Sequence, residues 1–156
     1  MGTAGSGARA MTLKKQGGYW YGTTPEDVEA EVFRYSRLNG HEAARFRAST
    51  CGCGNRKFRL ESDEDVGAAR RACVACQAVH WMGDSASYAA QARLERHECV
   101  CGADAFELRC GVALYDGSND VRWLYIGCRC ARCDLVGVFA DWKCEAGDAD
   151  AFLAKA

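Results

Sequence analysis

Proline occurs once in the 156 residues, and that one, Pro25, stands where a helix is expected to start. Histidine occurs three times, which leaves little material for general-base catalysis. There is no Gly-x-x-x-x-Gly-Lys loop, no His-Glu-x-x-His and no Gly-x-Ser-x-Gly. The residues of phosphate-cradling loops, zinc proteases and nucleophile elbows are therefore missing. No apolar run approaches the length of a membrane-spanning helix. Met1 to Lys15 is Gly/Ala-rich without an apolar h-region, so no secretory signal is expected. Its opening Met1-Gly2 to Ser6 fits only the loosest myristoylation pattern. Without a basic patch beside it, residues 1–16 read as a flexible leader, with Met11 as an internal start.

Cysteine is the opposite case, with eleven copies. Such a number means either a disulfide scaffold in a secreted chain or metal binding in a reducing compartment. The absent signal and the odd count favour metal and a cytoplasmic setting. The spacing is more specific still. Cys51-Gly52-Cys53-Gly54 is followed by Cys73-Val74-Ala75-Cys76, and Cys99-Val100-Cys101-Gly102 by Cys130-Ala131-Arg132-Cys133. In each copy an alternating segment follows the first pair, Lys57 to Leu60 in one and Ala105 to Leu108 in the other. Such self-similarity indicates a duplicated unit. Two cysteines one or two residues apart on a turn can aim both sulfurs at one point, and the glycine behind them permits a positive φ. Two such turns close a four-sulfur cage, which suits tetrahedral Zn²⁺.

The arrangement resembles the zinc-ribbon superfamily over residues 51–82 and 99–143. There, two cysteine knuckles clamp a metal at one end of a small β-sheet. The first knuckle here is Cys-x-Cys instead of Cys-x-x-Cys, and the knuckles are nineteen and twenty-eight residues apart. The fold expected is a small α+β one: two zinc-ribbon-like antiparallel units, an N-terminal amphipathic helix and short connecting helices. Its expected divisions are leader 1–16, aromatic arm and helix 17–50, ribbon 51–83, helical connector 84–98, ribbon 99–144 and C-terminal helix 145–156. Two zinc ions per chain are expected, held by Cys51, Cys53, Cys73 and Cys76 and by Cys99, Cys101, Cys130 and Cys133. With four thiolates each, both sites are closed, which is the mark of structural zinc; catalytic zinc keeps a position open.

Local signals fill in the rest. Gly17 to Gly22 frames Tyr19, Trp20 and Tyr21, either a short strand packing on the body or an exposed recognition patch. Thr24, Pro25 and Asp27 spell a helix start, Val28, Val32, Tyr35 and Ser36 share a face, and Asn39-Gly40 is a stop; a helix over 25–38 follows. His41 to Arg47 reads as a further helical turn. Strands are expected over 56–61, 68–72 and 74–82, a helix over about 86–96, then strands over 105–115, 121–127 and 135–143. A short helix capped by Asp148 ends the chain. Cys110 and Cys128 fall on an apolar strand face and read as small core residues; with Cys144 they lack the fourth thiolate of a third metal site. On the opposite face Tyr115, Val121, Trp123 and Tyr125 are apolar too, so the sheet needs a cover on both sides. The helix or the aromatic arm would supply it. His80 and His97 have no counterpart in the other copy, Gly137 and Ser49 taking their places, and are not counted as ligands.

The function expected is a non-enzymatic, zinc-structured module that binds another protein, with no membrane and no small-molecule substrate. Its surface candidates are Tyr19, Trp20, Tyr21, Trp123 and Tyr125. Nucleic-acid binding is the alternative, through the basic cluster Arg56, Lys57, Arg59, Arg70 and Arg71. Against it, residues 41–82 carry seven basic against five acidic side chains, but residues 83–156 carry eight against twelve. A continuous phosphate track needs a basic surface. A thiol-redox role for Cys73 and Cys76 is the third reading, and it lacks the βαβ setting of such motifs.

Overall fold

The computed structural model describes residues 13–156, so most of the predicted leader, with Met1–Ser6 and Met11, lies outside the described residues. Its end does not: Lys14–Gln16 form β1, hairpinned to β2 at Tyr19–Tyr21. Helix α1 spans Pro25–Asn39, followed by β3 at Arg45–Ala48. The first cysteine repeat supplies β4 (Phe58–Asp63), β5 (Ala68–Cys73) and β6 (Val79–Trp81). After a single 3-10 turn at Ser85–Tyr88 comes β7 (Glu95–Arg96). The second repeat supplies β8 (Phe106–Leu114), β9 (Val121–Cys130) and β10 (Leu135–Lys143), and α2 (Ala149–Ala154) closes the chain.

Helix α1 forms where its caps dictate. Thr24 Oγ1 accepts from the Asp27 amide, and the Asp27 carboxylate accepts from the Thr23 and Thr24 amides. Gly40 at φ 83° takes the left-handed stop. Thr24→Ala is expected to cost about 1 kcal/mol, read as a lower urea midpoint at unchanged slope; an unmoved midpoint would mean that the cap contributes nothing.

The ten strands form one antiparallel sheet in the order β1-β2-β10-β9-β8-β4-β5-β6, with β3 on β8 and β7 on β4. Two separate ribbons are therefore not what the chain makes. The two repeats join through their first strands, and the joining pair is Phe58 with Phe106. These residues are equivalents: each lies five positions after the second cysteine of its copy, and each pairs with a cysteine on the next strand, Phe58 with Cys73 and Phe106 with Cys130. Self-pairing of equivalent positions across antiparallel strands is the signature of a local two-fold relation, as in an isologous dimer. Beyond that pair the first hairpin crosses the face of the second. Its turn reaches β10, where Glu64 accepts from the Asp141 amide at 2.8 Å and Gly67 abuts the Trp142 ring. The main core lies between these layers, built from Phe58, Leu60, Met82, Phe106, Leu108, Ile126, Trp142 and Phe152, with α2 packed on it.

The other face of β8–β10 is covered by α1, while the aromatic arm extends the sheet beside β10. Val28 and Val32 sit on Tyr125, Ala113 and Val136, with Trp20, Tyr35 and Trp123 at the margin. Val121 does not belong to this face. Leu114 pairs with Val121 but Ala113 with Trp123, so Arg122 is an extra residue on β9. This bulge turns Val121 into the main core.

Two local expectations fail for one reason. Residues 41–47 are not a helical turn but lead into β3, which pairs with Arg109–Val112. The connector 84–98 is not a helix beyond its 3-10 turn; Glu95 and Arg96 pair with β4. Both stretches cover strand edges that would otherwise leave backbone groups unpaired.

Two candidate metal centres

Each cysteine set gathers at the root of its hairpin. One knuckle precedes the first strand, and the other links the second strand to the third. Within each set of four, all sulfurs lie within 4.8 Å of one another. Cys51 and Cys76 Sγ are 3.5 Å apart and Cys53 and Cys73 3.6 Å. The matching pairs of the second copy, Cys99–Cys133 and Cys101–Cys130, stand at 3.6 and 3.7 Å. A disulfide would hold the sulfurs at about 2.05 Å, and all these cysteines are free. Four sulfurs at the corners of a tetrahedron around Zn²⁺, with Zn–S near 2.3 Å, would be about 3.8 Å apart. The donor set and its spacing fit such an ion, and each cluster can hold one.

The knuckles repeat down to the backbone. The Cys51 amide donates to the Asn55 carbonyl and the Cys99 amide to that of Ala103, at 2.9 and 2.8 Å; Gly54 and Gly102 return bonds to Cys51 and Cys99, both at 2.8 Å. Gly54 and Gly102 take φ 93° and 90°, the left-handed turn that glycine allows. Behind the second knuckles Gln77 and Asp134 are left-handed as well, at 68° and 67°. Their amides bond back to Cys73 and Cys130 at 2.9 and 3.1 Å. The first knuckle of each copy thus needs only one intervening residue to aim two sulfurs inward.

One sulfur in each cluster is set up to carry charge, while others are held protonated, Cys76 being pushed up to about 11. The amides of Cys76 and Ala75 and the Asn55 side chain donate to Cys73 Sγ, at 3.4, 3.4 and 3.2 Å. These donors, the Cys76 amide foremost, draw the Cys73 thiol down to about 6. In the second cluster a hydrogen bond from the Ala103 amide brings Cys101 down to about 7, while burial pushes Cys99 up to about 12. Four thiols this close cannot all ionise against one another unless a cation sits among them. The remaining three cysteines are different. Burial pushes Cys110 and Cys144 up to about 12 and raises Cys128 as well. They are protonated, apolar core residues, and no third cluster forms among the described residues. The histidines have other partners: His80 contacts the Lys155 carbonyl, His97 the Ser62 hydroxyl, and His41 stacks on Trp123.

The predicted surface residues separate. Tyr125 is fully buried, donating to the His41 carbonyl and accepting from Asn39 Nδ2, so it ties down the end of α1 and presents nothing to a partner. Trp123 is half-buried and donates to Asp141. Arg71 is buried, stacked over Phe58 and bonded to the Ala156 carbonyl. Arg70 pairs with Glu61 and Arg59 with Asp104. Of the basic cluster, Arg56 and Lys57 remain exposed with no ion pair among the described residues.

Tyr19, Trp20 and Tyr21 form β2, between β1 and β10; Tyr19 is exposed, while Trp20 and Tyr21 pack toward opposite faces of the sheet. Trp20 forms part of a groove of about 410 Å³ with Lys15, Tyr19, Arg34, Val100 and Phe139. Arg34 and Lys15 lie over the Trp20 ring at 5.3 and 5.9 Å. Val100, the residue between Cys99 and Cys101, is 63% exposed there. Its counterpart in the first copy, Gly52, is exposed as well but has no side chain to present. No described helix is long and apolar enough to cross a membrane. No protein-family model, curated protein or solved structure matches the chain.

Proposed function

We propose that the chain is a non-enzymatic binding module, held in shape by two structural Zn²⁺ ions in a reducing, cytoplasmic setting, that docks another protein. The observation carrying this reading is the closure of both centres. Four sulfurs surround each candidate ion, leaving no coordination position for a substrate or activated water. The metals then act on shape: they fix the roots of two hairpins whose third strands carry the groove, on β10, and one edge of the sheet, β6. The groove beside Trp20 suits a protein partner, because aromatic and arginine side chains are enriched at such interfaces. Its charges are mixed, with Glu31 and Glu98 beside Lys15 and Arg34.

Changing exposed groove residues should separate binding from folding. With metal-loaded protein as bait, Tyr19→Ala and Val100→Asp are expected to lose a discrete partner while metal content and thermal midpoint stay unchanged. A partner retained by both variants would place the interface elsewhere. The dispersal of the basic cluster weakens the nucleic-acid reading. Mixed DNA and RNA are expected to show no gel shift at low salt. A salt-steep shift lost on Arg56→Glu with Lys57→Glu would replace the protein-docking reading.

A further inference from the structure

Both ends of the sheet are short: β1 and β6 have three residues each. Short, charged edges guard against unwanted pairing, and β1 carries Lys14 and Lys15. A third stretch of edge lies within the strand order. Strand β10 has nine residues, but β2 meets only its first two, Leu135 and Val136. The β1–β2 hairpin turns back at Gly17 and Gly18, left-handed at φ 58° and 85°. Beyond that turn, the same side of β10 has no neighbouring strand among the described residues.

The ladder fixes which backbone groups are bared there. The Asp134 carbonyl accepts from the Gly22 amide and the Asp141 amide donates to Glu64, so these groups point away from β9. The register shifts between Val138 and Ala140, which makes Phe139 the extra residue of a bulge. Alternation from Asp134 then turns the polar groups of Val136 and Val138 outward as well. Val136 meets Trp20. The Val138 amide and carbonyl have no hydrogen-bond partner on that side among the described residues. They open into the groove beside Trp20, along which Val136 to Phe139 run. Trp20 and Val138 pack on the α1 side of the sheet, whereas Phe139 and Cys99 pack on the main core. The groove is therefore a slot, with a strand edge between two walls.

An unpaired amide and carbonyl in such a slot match an extended backbone. The walls specify its side chains. On the α1 side Arg34 is spent on Glu31. Lys15, 5.9 Å above the Trp20 ring, has no ion pair among the described residues. On the other wall Glu98, beside Cys99, has none either. Side chains of a strand alternate between faces, so an acid facing Lys15 and a cation facing Glu98 fall an odd number of positions apart.

We propose that the free edge of β10 at Val138 takes an extended segment of another protein as an added strand. The segment carries an acidic residue opposite Lys15, a basic residue opposite Glu98, and apolar residues toward Trp20, Val100 and Phe139. Val138 donates to one of its carbonyls and accepts from one of its amides. This rests on the protein-docking reading and adds to it the form and charge pattern of the partner.

Peptides selected from a displayed random library against the metal-loaded full chain test it, with affinities read by fluorescence anisotropy. They should share the acidic and basic pattern, and Val100→Asp should abolish their binding. Methylating the one peptide amide that faces Val138 should weaken binding about tenfold, the scale of one backbone hydrogen bond. Methylating the next amide, which points away, should not. Val138→Pro should match the first effect, since the amide it removes takes no part in the ladder to β9. The methylated peptides leave the protein untouched, so they decide even where Val138→Pro fails to fold. Lys15→Glu should turn the preference from an acidic to a basic peptide residue. Peptides that need Val100 yet tolerate methylation at every position would overturn the added strand and leave the groove as a docking site. A library yielding no peptide, or only peptides indifferent to Val100→Asp, would overturn both. A dimer in sedimentation that Val138→Pro dissociates would give the edge to a second copy. Peptide binding gained only on deleting residues 1–12 would give it to the chain's own start. Either result overturns the proposal.

Discussion

Removing metal is expected to unfold most of the chain. Protein purified without added metal should carry about two zinc ions by elemental analysis. Chelation at neutral pH should then abolish the near-ultraviolet circular dichroism of the packed aromatic core. The magnitude follows from comparing two scales. A structural zinc contributes about 10–16 kcal/mol of apparent binding energy, whereas a whole domain is stable by about 5–15 kcal/mol. Loss of either ion is therefore comparable to everything else that holds the fold. The pH dependence has a definite sign. Zinc binds thiolates, and protons compete for them, so affinity falls as the pH is lowered and metal should be released on acidification. Cys76→Ser and Cys133→Ser, which each open one cluster, should both halve the bound metal. An apo chain with an unchanged spectrum and thermal midpoint, or thiols found paired as disulfides, would sink the metal reading.

A single methyl group at Gly127 should have the next largest effect. Gly127 lies in β9 beneath α1, and a Cβ there would stand 2.4 Å from Val32 Cγ2, 2.9 Å from Val28 Cγ1 and 3.2 Å from the Arg109 carbonyl. The helix cannot approach this closely over any larger residue. Gly127→Ala is expected to cost about 2–3 kcal/mol, within the range of overpacked cores. For a domain of this size that is a fall of roughly 4–12 °C in thermal midpoint. Val32→Ala should restore part of the loss when combined with Gly127→Ala, because it removes the closest clash, though alone it destabilises by opening a cavity. A Cβ at Gly111 would stand 3.0 Å from Val32 Cγ1 on the same helix and from Phe46 Cε1 on β3, and there the alanine should be milder. If Gly127→Ala is as stable as wild type, or if the two substitutions simply add, α1 does not seat on this glycine as described.

The two clusters were legible because their information is local. Cysteine spacing, the glycine behind each first knuckle and the repetition are all set within a few residues, and a turn's geometry follows from them. The same holds for α1, whose cap, apolar face and glycine stop are contiguous. The inward face of β8 was readable from alternation alone, from Phe106 to Val112. What could not be read was which strand edges meet. Nothing near Phe58 or Phe106 in the chain says that they pair, yet that pair turns two ribbons into one sheet. Residues 41–48 and 84–98 carry weak local preferences, and the open edges of β8 and β4 settled their conformation. The bulge at Arg122 moved Val121 to the opposite face, a one-residue displacement that alternation cannot foresee.

The same distinction runs through the candidate surfaces. Arg71 and Tyr125 looked available because charge and aromaticity are properties of the residue, but exposure belongs to the packed chain. Val100 was inconspicuous for the same reason, being bared on its knuckle only by the fold. The amino-acid sequence by itself determined the chemistry at the hairpin roots, since four thiols at these spacings converge whatever surrounds them. Only the tertiary structure decided the joined sheet, the buried faces and the free edge at Val138, because each depends on backbone edges and side-chain volumes from distant parts of the chain meeting in space.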